Sequence, residues 1–244
     1  MNVIVGRHPV IEALKSGTLI EKILISKSTH GEAIHTIRQL ARERGILCND
    51  VQAEKLSKYT DSQTTQGVLA VLGEKVYCEI DDIIRVAEER NEKPFILIFD
   101  EIEDPHNLGA LIRSAVCVGA HGGIIPKHNA ASVTETVAKT SAGASVHFPI
   151  AKVTNIAQTI DELKDLGIWI VGTDVDAPKT FTEIDYTMAL AIVVGNEGRG
   201  MRRLVKDKCD FLVSIPMKGE LNSFNASVAG ALMMYEVFRT RPVK

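Results

Sequence analysis

Ala189-Leu190-Ala191-Ile192-Val193-Val194-Gly195-Asn196-Glu197-Gly198-Arg199-Gly200 reads as a buried strand opening into a ligand loop. The apolar run is short for a helix and does not alternate with polar residues. It therefore fits a strand covered on both faces, as in a parallel sheet flanked by helices. Glycines with Gly-x-x-Gly-x-Gly spacing follow at once, and glycine lets a ligand approach backbone groups closely. Two further polar segments interrupt the apolar C-terminal half, Asn107-Leu108-Gly109-Ala110-Leu111-Ile112-Arg113 and Leu221-Asn222-Ser223-Phe224-Asn225-Ala226-Ser227. Each abuts an expected strand or opens an expected helix. Open α/β sheets bind ligands in loops at the carboxyl ends of their strands, so these segments are expected to form one site. Their amide, guanidinium and carboxylate groups suit an anionic or nucleotide-like ligand.

Outward from this stretch, strands at 95–99, 123–125, 168–171 and 211–215 alternate with helices at 108–118, around 133–139, at 156–166 and from about 225 to 239. The pattern predicts an α/β fold with a mostly parallel sheet. The first 73 residues form a smaller α/β pattern. A helix begins at Pro9 and stops at Gly17, a strand spans 22–25, and Gln66 to Leu72 is a closing strand. Between them Ala33, Ile34, Ile37, Leu40 and Ala41 take the spacing of an amphipathic helix that Gly45 ends. The chain turns charged from Glu74 to Pro94, with Asp81, Asp82, Glu88, Glu89, Arg90, Glu92 and Lys93 around an expected helix. The expected organisation is a domain over 1–73, a linker over 74–93 and a second domain over 94–244. Composition leaves open whether the linker is flexible or packs as the first helix of the second domain.

A chain of 244 residues could bury one large core or two smaller ones, and the boundary favours two. Its 45% hydrophobic and 24% charged residues describe an ordinary globular protein rather than a disordered one. No apolar run approaches the roughly 20 residues needed to span a bilayer, and Met1 to His8 lacks a basic region followed by an apolar signal segment. A cytoplasmic protein is expected. Cys48, Cys78, Cys117 and Cys209 are scattered without a Cys-x-x-Cys pair, which predicts reduced, mostly buried thiols. No His-x-x-x-His pair occurs, so no metal is expected.

The net charge of −3 argues against indiscriminate nucleic-acid binding. Its distribution is uneven, +2 over residues 1–73 and −5 over 74–244. Arg199, Arg202, Arg203, Lys206, Lys208 and Lys218 gather around two of the polar segments, as a binding patch or as a solvated helix face. The run Asp100, Glu101, Glu103 and Asp104 reads as a solvated strand-to-helix loop, His106 as a turn residue, and Met233 and Met234 as core or interface. Several familiar sites are missing from the sequence. No Gly-x-Gly-x-x-Gly follows a first strand, no phosphate-loop Gly-Lys-Ser/Thr occurs, and no Gly-x-Ser-x-Gly elbow is present.

The three segments resemble the SpoU family of RNA ribose 2′-O-methyltransferases, the TrmH-like branch of the SPOUT enzymes. The family's Asn-x-Gly-x-x-x-Arg-Ser/Thr-Ala motif is matched by Asn107, Gly109, Arg113, Ser114 and Ala115. Its Gly-x-Glu-x-x-Gly is matched by Gly195, Glu197 and Gly200, and its third motif by Ile215-Pro216-Met217 with Ser223, Asn225, Ser227 and Ala229. The first 73 residues resemble the ribosomal-protein-like, RNA-binding domain often attached to this family, with Gln66-Gly67-Val68 as its closing signature.

The resemblance implies a trefoil-knotted SPOUT domain that works as a homodimer. It implies S-adenosylmethionine gripped by backbone near Thr173, Gly195, Ile215 and Phe224. The resemblance implies Arg113 as the base, but a guanidinium is effectively always protonated. Arg113 is instead expected to clamp the phosphate beside the target ribose and orient the hydroxyl, with that phosphate or water receiving the proton. Asn107 and Glu197 would position Arg113, the ribose or a loop, and Ser223 and Asn225 would bind the methionine part or the target nucleotide. Capping remains open for Asn107, Ser223 and Asn225, and a surface turn for Glu197. The nearest branch methylates a guanosine of bacterial 23S ribosomal RNA. The alternatives are a transfer-RNA guanosine methyltransferase and an inactive RNA-binding assembly factor. Arg7, Arg38, Arg42 and Arg44 are candidate phosphate contacts of the first domain.

Overall fold

The computed structural model describes residues 3–16, 18–60, 65–73, 77–219 and 223–241. The chain divides into two compact units, Met1–Lys75 with Val133–Val146, and Val76–Ser132 with His147–Lys244. The first contains β1 (Val3–Val5), α1 (Arg7–Lys15), β2 (Ile20–Ser26), α2 (Glu32–Glu43), β3 (Leu47–Val51), α3 (Ala53–Leu56) and β4 (Val68–Leu72). Its sheet runs β1-β4-β2-β3, with β4 antiparallel to both neighbours and β3 parallel to β2. The apolar stripe of α2 packs Ile34, Ile37 and Ala41 with Val10 and Leu14 of α1 over Ile23, Ile25 and Ala70. Leu24, Leu69 and Val71 face the other way and meet Leu56 of α3.

The strand expected from Gln66 begins two residues later. Gln66 and Gly67 have φ of 48° and 73°, a left-handed pair that cannot join a pleated strand. Only glycine fits at 67, because a Cβ there would lie 1.8 Å from the Thr29 hydroxyl oxygen. The stop expected at Gly17 lies outside the described residues.

Along the rest of the chain come α4 (Ile80–Glu89), β5 (Phe95–Asp100), α5 (Pro105–Cys117), β6 (Gly122–Pro126), α6 (Glu135–Thr140), α7 (Ala144–His147) and β7 (Ile150–Val153). These are followed by α8 (Ile156–Asp165), β8 (Trp169–Thr173), β9 (Lys179–Thr180), β10 (Leu190–Gly195), α9 (Arg203–Lys206), β11 (Phe211–Ser214) and α10 (Ala226–Thr240). The second unit holds a sheet ordered β7-β6-β5-β10-β8-β11-β9 with every pair parallel. All of β5 and β6 is buried. Helices on both faces explain the unbroken apolar runs.

On one face Ile96, Ile98, Ala191 and Val193 pack with Ile83 of α4 and with Ile156, Ile160 and Leu163 of α8. The charged stretch after residue 73 is thus partly a docked helix. On the other face α10 crosses α5 so closely that a Cβ on Gly230 would lie 2.4 Å from Leu111 and 3.2 Å from Val194. Although β10 follows β8 in the chain, it is inserted between β5 and β8. The carboxyl ends of β10, β8 and β11 are thereby set side by side.

Two sequence expectations change here. Helix α5 starts three residues earlier than expected, with Asp104 as its N-cap accepting from the His106 N–H at 2.9 Å and Pro105 opening the first turn. That excludes Asn107 as the cap. The thiols are less buried than expected: Cys48, Cys78 and Cys209 are half-buried and Cys117 is exposed. Burial pushes the Cys209 thiol up to about 12. Met233 and Met234 are fully buried. No helix among the described residues is long and apolar enough to cross a membrane.

Candidate active site

Above the carboxyl ends of β8, β10 and β11 lies a cavity of about 450 Å³, within the roughly 300–1,000 Å³ of small-molecule sites. Thr173, Gly195, Ile215 and Phe224 all line it, as do Glu197 and Ser223. Gly195 is required by close packing. A Cβ there would lie 2.4 Å from the Met201 backbone nitrogen, because the loop after β10 folds directly back over it.

Asn107 and Asn225 join this wall through hydrogen bonds. The Asn107 side-chain amide donates to Glu197 Oε1 at 2.5 Å, which turns its own carbonyl oxygen to accept from Asn225 Nδ2 at 3.1 Å. Asn225 also caps α10, its Oδ1 accepting from the backbone N–H groups of Ser227 at 2.8 Å and Val228 at 3.4 Å. Residues 107, 197 and 225, distant in the chain, therefore form one directional relay. Leu221 and Asn222 lie outside the described residues.

Arg113 is placed elsewhere. It sits about 120° around α5 from Asn107, exposed, outside the lining of the cavity, and without a hydrogen bond or ion pair among the described residues. One chain does not bring it to the pocket.

The acidic run is not the solvated loop expected. Asp100 is fully buried. Its Oδ2 accepts from the Arg202 backbone N–H at 2.8 Å, while Oδ1 accepts from Arg202 Nε at 2.8 Å and Nη2 at 2.6 Å. Glu101 is buried beside it with φ 60°, Asp104 is half-buried and Glu103 is exposed, 3.4 Å from Arg199. The position of Asp100 at the end of an all-apolar strand was the available signal.

The basic cluster is largely neutralised. Lys208 pairs with Asp161 at 2.5 Å, Arg203 with Asp207 at 3.7 Å and Lys206 with Asp174, leaving Lys218 exposed. Burial pushes the Asp174 carboxyl up, but hydrogen bonds from Lys206 and the Asp176 N–H outweigh it and hold the group below its usual value. In the first unit Arg44 donates to the carbonyls of Leu14 and Thr18 at 2.8 Å, Arg38 pairs with Asp50, and Arg7 Nε donates to the Gln66 carbonyl at 3.2 Å. Of those four arginines only Arg42 has no partner among the described residues. No cluster of metal-ligating side chains occurs among the described residues.

A mostly parallel α/β sheet of this kind is the fold of the SpoU/SPOUT methyltransferase structures. The SpoU rRNA Methylase family model matches residues 94–235 and the RNA 2′-O ribose methyltransferase substrate-binding model matches residues 3–77, and the chain belongs to the SpoU, TrmH-like family. It is 49% identical to YacO of Bacillus subtilis (strain 168), assigned to the TrmH family of tRNA/rRNA methyltransferases, over 98% of this chain and 95% of that one. Among solved structures, the SpoU methyltransferase AviRb from Streptomyces viridochromogenes, in complex with its cofactor AdoMet, matches with TM-score 0.69 and 26% identity, covering 97% of this chain and 89% of that one. The TrmH/SpoU tRNA modifying enzyme of A. aeolicus is 30% identical with TM-score 0.55, covering 66% of this chain and 83% of that one.

The protein is an RNA methyltransferase that uses S-adenosylmethionine. The cavity suits that cofactor on its own chemistry. Met217 and Phe224 leave 36% and 40% of their surfaces uncovered at its wall, beside the carboxylate of Glu197, a combination that accepts an adenine ring and a cationic sulfonium or ammonium group.

Proposed function

We propose that this enzyme methylates the ribose 2′-hydroxyl of a guanosine in bacterial 23S ribosomal RNA, as a cytoplasmic homodimer. Residues 1–73 form its RNA-binding module, 74–93 the connection and 94–244 the catalytic domain, whose C-terminal segment is threaded as a trefoil knot. The relay Asn225–Asn107–Glu197 carries the reading, since it ties three separate motifs to the wall of one cavity. The insertion of β10 between β5 and β8 is compatible with a threaded chain.

S-adenosylmethionine, when bound, supplies a methyl group on a positively charged sulfur. The residues around it have positional tasks. Thr173, Gly195, Ile215 and Phe224 hold the cofactor, and Ser223 and Asn225 hydrogen-bond the methionine part or the target nucleotide. Arg113 clamps the phosphate next to the target ribose and so aligns the hydroxyl. That hydroxyl would have to give up its proton as it is methylated, and the clamped phosphate or water would accept it. Asn107 and Glu197 keep the first turn of α5 in register with the cofactor loop.

Because Arg113 is off the pocket in its own chain, it acts on the pocket of a second copy. The outer face of α10 supports that pairing: Val228, Leu232, Tyr235 and Phe238 form an exposed apolar stripe, unusual on a monomer surface. Arg42 remains the phosphate contact of the first domain.

Incubating the purified protein with methyl-labelled S-adenosylmethionine and either 23S ribosomal RNA or transfer RNA, then mapping the modified ribose, tests the assignment. Label at one guanosine of 23S RNA is expected. Label confined to transfer RNA would redirect the substrate, and neither label nor cofactor binding would leave an assembly factor.

A further inference from the structure

The loop from Asn196 to Met201 forms one wall of the cofactor cavity, every residue of it lining the space. Its internal shape is local. Asn196 and Gly200 exchange backbone hydrogen bonds at 3.0 and 2.9 Å, and the Asn196 side-chain oxygen accepts from the N–H groups of Gly198 at 3.0 Å and Arg199 at 3.3 Å. Those bonds shape the turn without saying where it stands relative to the sheet. Its position is set at the two ends, and both ends lead to one residue. At the start, Gly195 is in parallel register with Asp100 across β10 and β5. At the finish, the backbone N–H and guanidinium of Arg202 close on the carboxylate of Asp100.

We infer that Asp100 and Arg202 are a positioning pair that sets cofactor affinity, the 196–201 loop starting beside the backbone of Asp100 in the sheet and ending on its buried carboxylate. The inference rests on the reading of this cavity as the S-adenosylmethionine site. Asp100 is 0% exposed, and an anion withdrawn from water is retained only with a well-aligned partner. Among the described residues Arg202 alone supplies that partner, three donors from one residue spread over both carboxylate oxygens. Such a pair contributes little net stability compared with an apolar packing, so its benefit lies in geometry.

Neighbouring contacts reinforce the same placement. Glu101 turns the chain sharply at φ 60°, its backbone carbonyl accepts from Asn196 Nδ2 at 2.9 Å, and its carboxylate lies 3.5 Å from Arg202 Nη1. Lysine cannot reproduce this arrangement, because an ammonium lacks the Nε and Nη fork. A loop freed at residue 202 would take Glu197 with it, and Glu197 holds Asn107.

The test uses the full-length protein with Arg202→Gln, Arg202→Lys and Asp100→Asn. Titration calorimetry with S-adenosylmethionine gives Kd, thermal melts give stability, and rates at varied cofactor separate KM from kcat. The expected result for Arg202→Gln is a Kd raised about tenfold or more, a smaller rise for Arg202→Lys, and a greater change in KM than in kcat. The upward Tm shift caused by the cofactor should shrink in parallel. Arg202→Gln removes the cation from a buried carboxylate, so Arg202→Lys, which keeps the charge on a side chain that is 43% exposed, carries the test where Arg202→Gln or Asp100→Asn does not fold.

A folded Arg202→Gln protein whose Kd stays within about twofold of the parent overturns the inference, whatever its melting temperature. So does a fall in kcat with unaltered KM. A parent protein that itself binds no S-adenosylmethionine fails differently, removing the reading of the cavity and the inference with it.

Discussion

The inner and outer sides of the α5–α10 layer differ in how their side chains are occupied. On the inner side, Leu111, Gly230 and Val194 leave no room for another methyl group, and the polar residues nearby, Asn107, Glu197 and Asn225, hold one another. On the outer side Arg113 has no partner among the described residues, and Val228, Leu232 and Tyr235 face outward. The contrast separates two tasks. Groups that line the cavity are arranged within one chain, while the groups proposed to meet RNA and a second copy have no partner among the described residues or face outward.

The sharpest way to break this division is at Arg113. Changing it to Ala should lower methyl transfer about 100-fold or more with S-adenosylmethionine affinity in calorimetry unaltered, and Arg113→Lys should recover only a small part. Loss of cofactor binding in either variant would place Arg113 on the wrong side of the comparison. A smaller effect is expected from Leu232→Glu, which puts a charge on the outer stripe of α10. Association should weaken by about tenfold or more, read by light scattering over a dilution series, with the melting temperature of the isolated chain little changed. An unchanged dimer would locate the pairing surface elsewhere. Least disruptive to function should be Gly230→Ala on the inner side. Over-packing against Leu111 and Val194 should cost about 1–3 kcal/mol in denaturant unfolding, with activity retained well below the melting temperature.

The same contrast explains what could be read beforehand. Strands β5 and β10 were legible because their apolar runs do not alternate, which few other structures demand. Short elements such as β1, α3, β9 and α9 offer too few residues for a periodicity to emerge. The start of α5 was misjudged because Asp104 and Asn107 are both good caps, and only the backbone path selected Asp104. Asp100 was misread for a related reason. An acid beside Glu101, Glu103 and Asp104 looks solvated until its partner, 102 residues further on, is seen. The basic cluster misled in the opposite direction, since the carboxylates at 161, 174 and 207 that neutralise it belong to other parts of the fold.

What the order of residues determined by itself is the alternation of buried strands and amphipathic helices and the identity of the polar segments, because both are properties of neighbours a few positions apart. What the tertiary structure alone decided is which polar groups touch. Insertion of β10 between β5 and β8 brings residues 100 and 202 onto one carboxylate and residues 107, 197 and 225 into one relay. Hydrogen bonds depend on distances of about 3 Å and on direction, and neither exists until the sheet is assembled.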